Sequence, residues 1–188
     1  TAEQHLFLRK IARKTWGFFE HFVTIEDHWL PPDNFQENPD PIVAHRTSPT
    51  NIGLALLANL SAYDFGYISA GLFIKRTTNT LNTMATLSRY QGHFFNWYDT
   101  QTLEPLLPRY ISSVDSGNLA GHLLTLHAGF LVLPHQPIIS PRVFEGLLDT
   151  VHIIITHSPS RYFKDIRYHN RTRSQFLFQL VSQPLHDG

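Results

Sequence analysis

An all-α fold is what this sequence predicts. Three observations carry it: apolar residues at helical spacing near the start, a serine–proline helix-start signal at Ser48-Pro49 and again at Ser140-Pro141, and proline-bearing loops between the periodic stretches. From Gln4 to Val23, the residues Phe7, Leu8, Ile11, Trp16, Phe18, Phe19, Phe22 and Val23 recur at three- and four-residue steps. Arg9, Lys10, Arg13 and Lys14 take the other side, so the segment reads as an amphipathic helix. Glu26 to Thr47 carries Pro31, Pro32, Pro39 and Pro41, which remove backbone donors and push their predecessors out of the helical region; this is a long loop.

Ser48-Pro49-Thr50-Asn51 opens a second helix, with Ser48 capping free amides and Pro49 at the first position, where its missing N–H costs nothing. It is expected to run to about Tyr67, with Gly66 helping to end it. A third helix is expected from near Ser69, with Leu72, Phe73, Thr77, Leu81, Met84 and Leu87 on one side and Gly92 as its stop. Between His93 and Leu107, Phe94, Phe95, Trp97 and Tyr98 alternate with turn formers and allow a short strand or hairpin. Asp115 or Ser116 caps a fourth helix through Leu133, Ser140-Pro141 starts a fifth through His157, and Ser160 to Val181 reads as a sixth. Residues 1–188 form one domain or domain fragment, of which 134–188 are a helical extension. Loops this long fit helical hairpins stacked side by side better than a four-helix bundle, whose connections run to about 2–8 residues.

Composition narrows the partners. Fifteen basic residues balance fifteen acidic ones, so no positive field would hold nucleic acid. No apolar run approaches the roughly 20 residues of a membrane helix, and no membrane contact by this segment is expected. Twelve histidines include no helical i, i+4 pair with a nearby Glu; His122 and His127, like His152 and His157, stand five apart, so no metal site is expected. A G-x-S-x-G elbow, a P-loop and a dinucleotide glycine pattern are all missing. Low charge with 13% aromatic residues instead suits a flat, weakly charged ligand.

Two polar, aromatic-rich stretches stand out, Glu26 to Asn51 and His93 to Asn118. Sugars present C–H faces that stack on rings and hydroxyls that seek carboxylate, amide or guanidinium partners. Trp29, Trp97 and Tyr98 are candidate platforms, and Asp33, Asn34, Gln36, His45, Arg46, Asn51, Asp99, Asp115 and Asn118 candidate hydroxyl partners. The catalytic groups stay unknown; paired carboxylates are the usual machinery of glycoside cleavage, and Asp33, Asp99 and Asp115 are weak candidates for it. Against this stand turn roles for Asp33 and Asn34, a core role for Trp29, pairing of Arg46 with Glu37, and capping roles for Asp115 and Ser116.

The strings Trp29-Leu-Pro-Pro-Asp-Asn-Phe-Gln-Glu37, Ala44-His-Arg-Thr-Ser-Pro-Thr-Asn-Ile-Gly53, Gly92-His-Phe-Phe-Asn-Trp-Tyr-Asp99 and Ser113-Val-Asp-Ser-Gly-Asn-Leu-Ala-Gly-His122 closely resemble the cyclic β-1,2-glucan synthase family of bacteria. The resemblance covers about Leu8 to Leu126 and is to the start of the family's glucoamylase-like middle region. It implies about half of an (α/α)6-barrel, contributing the β-1,2-glucan-binding wall of a domain that transglycosylates or cyclises linear glucan. It implies acid–base glutamates in a later part, so the isolated segment would be inactive. No cofactor is expected here, UDP-glucose and a divalent metal being used by another domain. The implied partners are β-1,2-glucan and the remaining domains of a membrane-embedded parent at the cytoplasmic face of the bacterial inner membrane. An apolar flank left uncovered by half a barrel would favour a homodimer. The alternatives are a non-catalytic scaffold or glucan-holding module, and an unrelated helical polysaccharide hydrolase.

Overall fold

A computed structural model describes residues 1–137 and 139–157. The chain divides into two compact units, Thr1–Asp149 and Thr150–Gly188; of the second, only residues 150–157 are described. The sixth helix expected from Ser160 to Val181 lies outside the described residues.

Helix α1 (Ala2–Phe22) begins two residues earlier than its apolar periodicity indicates. Thr1 accepts from the Gln4 amide while the Gln4 side chain accepts from the Thr1 ammonium, a reciprocal cap that satisfies donors at the helix start. The first loop is less bare than expected. Strands β1 (Phe35–Gln36) and β2 (Ile42–Val43) form a small antiparallel hairpin, and β3 (Arg46–Thr47) follows.

Helix α2 (Pro49–Asp64) starts as predicted, with Ser48 extended and its hydroxyl accepting from the Asn51 amide at 3.2 Å. It ends at Asp64, and Gly66 turns the chain with φ +76°. Helix α3 (Ala70–Thr86) is capped by Ser69 and ends well before Gly92. Gly92 is not its stop: Gln91 (φ +50°) and Gly92 (φ +85°) form a two-residue hairpin turn between β4 (Arg89–Tyr90) and β5 (His93–Phe94), the positive φ pair such turns require. Strand β6 (Tyr98–Asp99) precedes α4 (Ser113–Val132), a short 3₁₀ turn at Leu133–His135, and α5 (Arg142–His157).

The cap of α4 is Ser112, not Asp115 or Ser116. Ser112 is the extended residue, and its hydroxyl accepts from the Asp115 amide at 3.1 Å, which leaves the Asp115 carboxylate inside the first turn.

Helix α2 is the packing centre, touching α1, α3 and α4. Ile52, Leu56 and Ala62 join Trp16 of α1, Phe73 and Met84 of α3, and Leu119 and Leu126 of α4 in one core. The Phe73 ring stacks on both Tyr63 and Phe130, at 5.6 and 4.9 Å between centroids. Helices α2 and α4 run parallel. Thr50 meets Asp115 near their starts, Gly53 meets His122 a turn on, and Leu60 meets Gly129 toward their ends.

The buried side of α3 differs from the expected stripe. Leu72 and Leu81 are exposed, while Arg76, Thr77 and Thr80 are buried beside Phe73 and Met84. Arg76 is tolerated there because its guanidinium donates to Asn59 Oδ1, Phe19 O and Val23 O and lies over the rings of Trp16 and Trp29 at 5.1 and 5.9 Å. Elsewhere apolar residues stay uncovered, among them Phe7 and Leu8 on α1 and Leu124 and Leu131 on α4.

Gly53 sets the α2–α4 spacing: a Cβ there would stand 2.3 Å from His122 Nδ1 and 3.0 Å from its Cβ and Cγ, too near the His122 backbone to relax by rotation. Alanine normally gains about 1 kcal/mol over glycine in a helix interior. Gly53→Ala is expected to reverse that sign and destabilise the domain by about 1–3 kcal/mol, read as a lowered urea midpoint. A raised midpoint would show that the helices part freely.

Candidate functional site

The two long loops come together. Strand β3 of the first pairs antiparallel with β6 of the second, Arg46 opposite Asp99 and Thr47 opposite Tyr98. The join is extended by Thr100, whose amide donates to the His45 carbonyl at 3.0 Å. Beneath it lies Asp27, buried, whose Oδ1 accepts from His45 Nδ1 at 2.8 Å and from the Thr100 hydroxyl at 2.5 Å. His28 Nδ1 completes the lock at 2.9 Å from the Thr100 carbonyl.

On this frame sits a continuous polar group at the starts of α2 and α4. Asp33 Oδ2 accepts from Arg46 Nε and Nη2 at 3.1 and 2.9 Å and from the Asn34 amide at 3.2 Å; Oδ1 accepts from Asn51 Nδ2 at 3.2 Å. The Arg46 guanidinium lies over the Trp97 ring, 4.9 Å from its centroid. Asp115 Oδ1 accepts from the Thr50 hydroxyl at 2.6 Å, and Thr50 Oγ1 in turn accepts from Asn118 Nδ2 at 3.2 Å. Asn96 joins the halves. With its amide nitrogen toward Asp115 Oδ2 (2.9 Å), its oxygen accepts from the Trp97 indole N–H and the Tyr110 hydroxyl, both at 2.7 Å. The opposite orientation would set a carbonyl oxygen against a carboxylate.

Two of these carboxyls are held below their ordinary range. Burial pushes Asp99 up, but the amides of Thr102 and Gln101, the Thr102 side chain and the nearby His45 outweigh it. For Asp115, burial is likewise overcome by hydrogen bonds from Ser112, Thr50 and Ser48. Both are therefore ionised at neutral pH, and neither supplies the protonated acid that glycoside cleavage needs.

Not every candidate reaches the site. Tyr98 cannot be a stacking platform: it is fully buried, its hydroxyl donating to the Ser88 carbonyl and accepting from the Phe95 amide, both at 2.7 Å. Trp29 faces Arg76, and its carbonyl accepts from the Thr80 hydroxyl at 2.9 Å, contacts that tie the first loop to α3 rather than to the polar group. Gln36 sits on the exposed β1 hairpin, reaching the Asp40 carbonyl at 3.4 Å. Arg46 pairs with Asp33 rather than Glu37. The Asp99 carboxylate folds back on its own turn, accepting from the Gln101 and Thr102 amides at 2.9 and 2.8 Å. Asp33, Asn34, His45, Arg46, Asn51, Trp97, Asp115 and Asn118 do assemble on the joined loops and the adjoining helix starts. Asn96 and Tyr110, members of the second polar, aromatic-rich stretch, join the group as well, whereas Thr50, directly after the cap and proline of α2, is reached only through the structure. Among the described residues no group of three or more His, Asp or Glu side chains is placed to hold a metal ion.

The fold is that of glucoamylase-like helical domains. The chain aligns with crystal structures assigned as glucoamylases from Bacteroides fragilis NCTC 9343 (TM-score 0.57, 15% identity, 81% of this chain and 35% of that one) and Bacteroides caccae ATCC 43185 (TM-score 0.54, 15% identity, 81% and 36%). It also aligns with an endo-β-1,2-glucanase from Chitinophaga pinensis in complex with sophorotriose and glucose (TM-score 0.52, 14% identity, 81% and 36%). At these identities the likeness is one of fold, and it agrees with part of an (α/α)6-barrel. No family model matches the chain. In sequence it is 58% identical over 119 residues to the cyclic β-(1,2)-glucan synthase NdvB of Rhizobium meliloti (strain 1021). That match spans 63% of this chain and 4% of the relative's length. The family resemblance read from the loop strings agrees with this relative.

The lowered carboxyls give the site a pH signature. A carboxyl whose folded pKa is depressed contributes stability that is complete above its unfolded pKa of about 3.9 and is lost as pH falls through the lower folded value. With Asp99 and Asp115 both shifted down, near-ultraviolet circular dichroism of the Trp97 surroundings is expected to hold steady to about pH 4 and change only below it. A transition completed above pH 5 would contradict the assignment.

Proposed function

We propose that this chain supplies the glucan-binding wall of a domain that transglycosylates or cyclises linear β-1,2-glucan. The observation that carries the reading is the β3–β6 join, which sets Asp33, Arg46, Asn51, Trp97, Asp115 and Asn118 side by side at the starts of two parallel helices. Amides, a guanidinium and hydroxyls beside an indole are groups that recognise a sugar. The relation to NdvB supports β-1,2-glucan as the sugar.

The role we assign is holding rather than cleaving. Asp33 already accepts four hydrogen bonds, and Asp99 and Asp115 are tied and ionised, so on this reading the protonated acid of bond cleavage belongs to groups elsewhere in a parent protein. On the same reading, UDP-glucose and a divalent metal serve another domain of that parent, which is membrane-embedded at the cytoplasmic face of the bacterial inner membrane. Among the described residues no helix is long and apolar enough to cross a membrane. The exposed apolar residues of α1 and α4 would be covered by the parent's remaining domains or, in the isolated chain, by a second copy; light scattering across protein concentration reads this as a rising mass, and a constant monomer mass excludes the dimer.

Isothermal titration with linear β-1,2-glucan tests the main proposal. Trp97→Ala is expected to weaken binding about tenfold or more, equivalent to about 1.4 kcal/mol, with the far-ultraviolet spectrum unchanged. Asn118→Ala, which removes one amide, is expected to weaken it less. Failure of the wild-type chain to bind, or equal binding by folded Trp97→Ala, would overturn the reading.

A further inference from the structure

Most carboxylate oxygens of the wall already accept hydrogen bonds. Arg46, Asn51, Asn34 and Asn118 present N–H groups, but Asp33 accepts four bonds, Asp99 Oδ1 two backbone amides, and both Asp115 oxygens are engaged by Thr50 and Asn96. Every sugar hydroxyl brings a proton of its own and needs an acceptor, which on this face falls mainly to the side-chain amide oxygens of Asn34, Asn51 and Asn118.

Asp27 is the carboxylate without a task in this picture. It is 6% exposed, and burying an ionised carboxylate is costly unless donors meet it. His45 Nδ1 and the Thr100 hydroxyl do so through the same oxygen. A carboxylate accepts only, so the single proton of a neutral imidazole must sit on Nδ1, leaving a lone pair on Nε2. The ring is held from its main chain as well, because the His45 carbonyl accepts from the Thr100 amide, and Thr100 is fixed by His28. The His45 side chain is 39% exposed, next to Arg46 in sequence, and its Nε2 makes no hydrogen bond within the described residues.

We propose that His45 is a tautomer-locked acceptor for a glucan hydroxyl, and that Asp27 is the positioning residue that fixes the tautomer. The ligand assignment rests on the carbohydrate reading above; the tautomer does not. His45 thereby adds an acceptor of fixed tautomer beside carboxylates that are mostly occupied.

The test uses the full 188-residue chain at pH 8, where an ordinary imidazole is neutral. Long-range ¹H–¹⁵N correlation of the His45 ring should show a protonated Nδ1, and Asp27→Asn should shift the pattern toward a protonated Nε2. With a linear β-1,2-glucan oligosaccharide, His45→Asn, whose short amide reaches Asp27 but not the sugar, should weaken binding about tenfold, the loss of one hydrogen bond in a protected site. His45→Gln, with its oxygen one methylene further out, should recover most of that loss. A protonated Nε2 in the wild type, or His45→Asn binding as well as the wild type, overturns the inference while leaving the glucan reading intact. Wild-type chain with a protonated Nδ1 that fails to bind glucan overturns the ligand assignment together with the carbohydrate reading.

Discussion

Two long loops can share a surface only if their buried backbone groups find partners in each other, and the β3–β6 register is where this requirement is met. Tyr98 and Thr100 are fully buried, so their main-chain polar atoms have no water to turn to. The ladder supplies partners, and its flanks continue the pattern: Asn96 N to Tyr110 O, Leu106 N to Trp97 O, Asp99 N to Glu104 O. Because side chains alternate across a strand, a slip of one residue would send Trp97 inward and Tyr98 out. Register thus decides that Trp97 meets Arg46 while Tyr98 anchors the loop in the core. Everything assigned to the polar face inherits that decision.

The same alternation explains which parts of the site can be read from the sequence. Ser48-Pro49 announces the start of α2, and the proline-rich and aromatic-rich loops announce themselves by composition, because cap chemistry and turn chemistry are local. Trp97 and Tyr98 are neighbours of similar character, and only a partner strand more than fifty positions away in sequence separates platform from core. Trp29 is drawn inward by Arg76, a cation whose burial no local pattern foretells; it depends on Trp16 and Asn59 on two other helices. The choice of Ser112 over Asp115 as cap is subtler still, since both residue types cap well and the backbone at Ser112 decides. Asn96 reads locally as a turn former in a polar, aromatic-rich stretch, but its joining of Asp115, Trp97 and Tyr110 is a matter of tertiary contact.

Holding the wall together also solves an electrostatic problem set by the fold. Parallel neighbours α2 and α4 bring two helix starts side by side, each with a partial positive charge of roughly half an elementary unit. Helix α2 has no acidic residue in its first turn, whereas α4 has Asp115. The Asp115 carboxylate reaches across to the Thr50 hydroxyl, so one negative charge serves both helix starts, and Asp33 adds a second through Asn51. Of the hydrogen bonds that hold Asp115 below its ordinary pKa, that from Ser112 lies within the cap of α4, and those from Thr50 and Ser48 tie the two helix starts together. A carboxylate committed in this way is poorly suited to trading protons with a substrate and well suited to keeping its neighbours still. That is the physical ground for treating the carboxylates of this face as a frame and, on the glucan reading proposed above, for looking to Trp97, Arg46 and His45 for the groups that would meet the sugar.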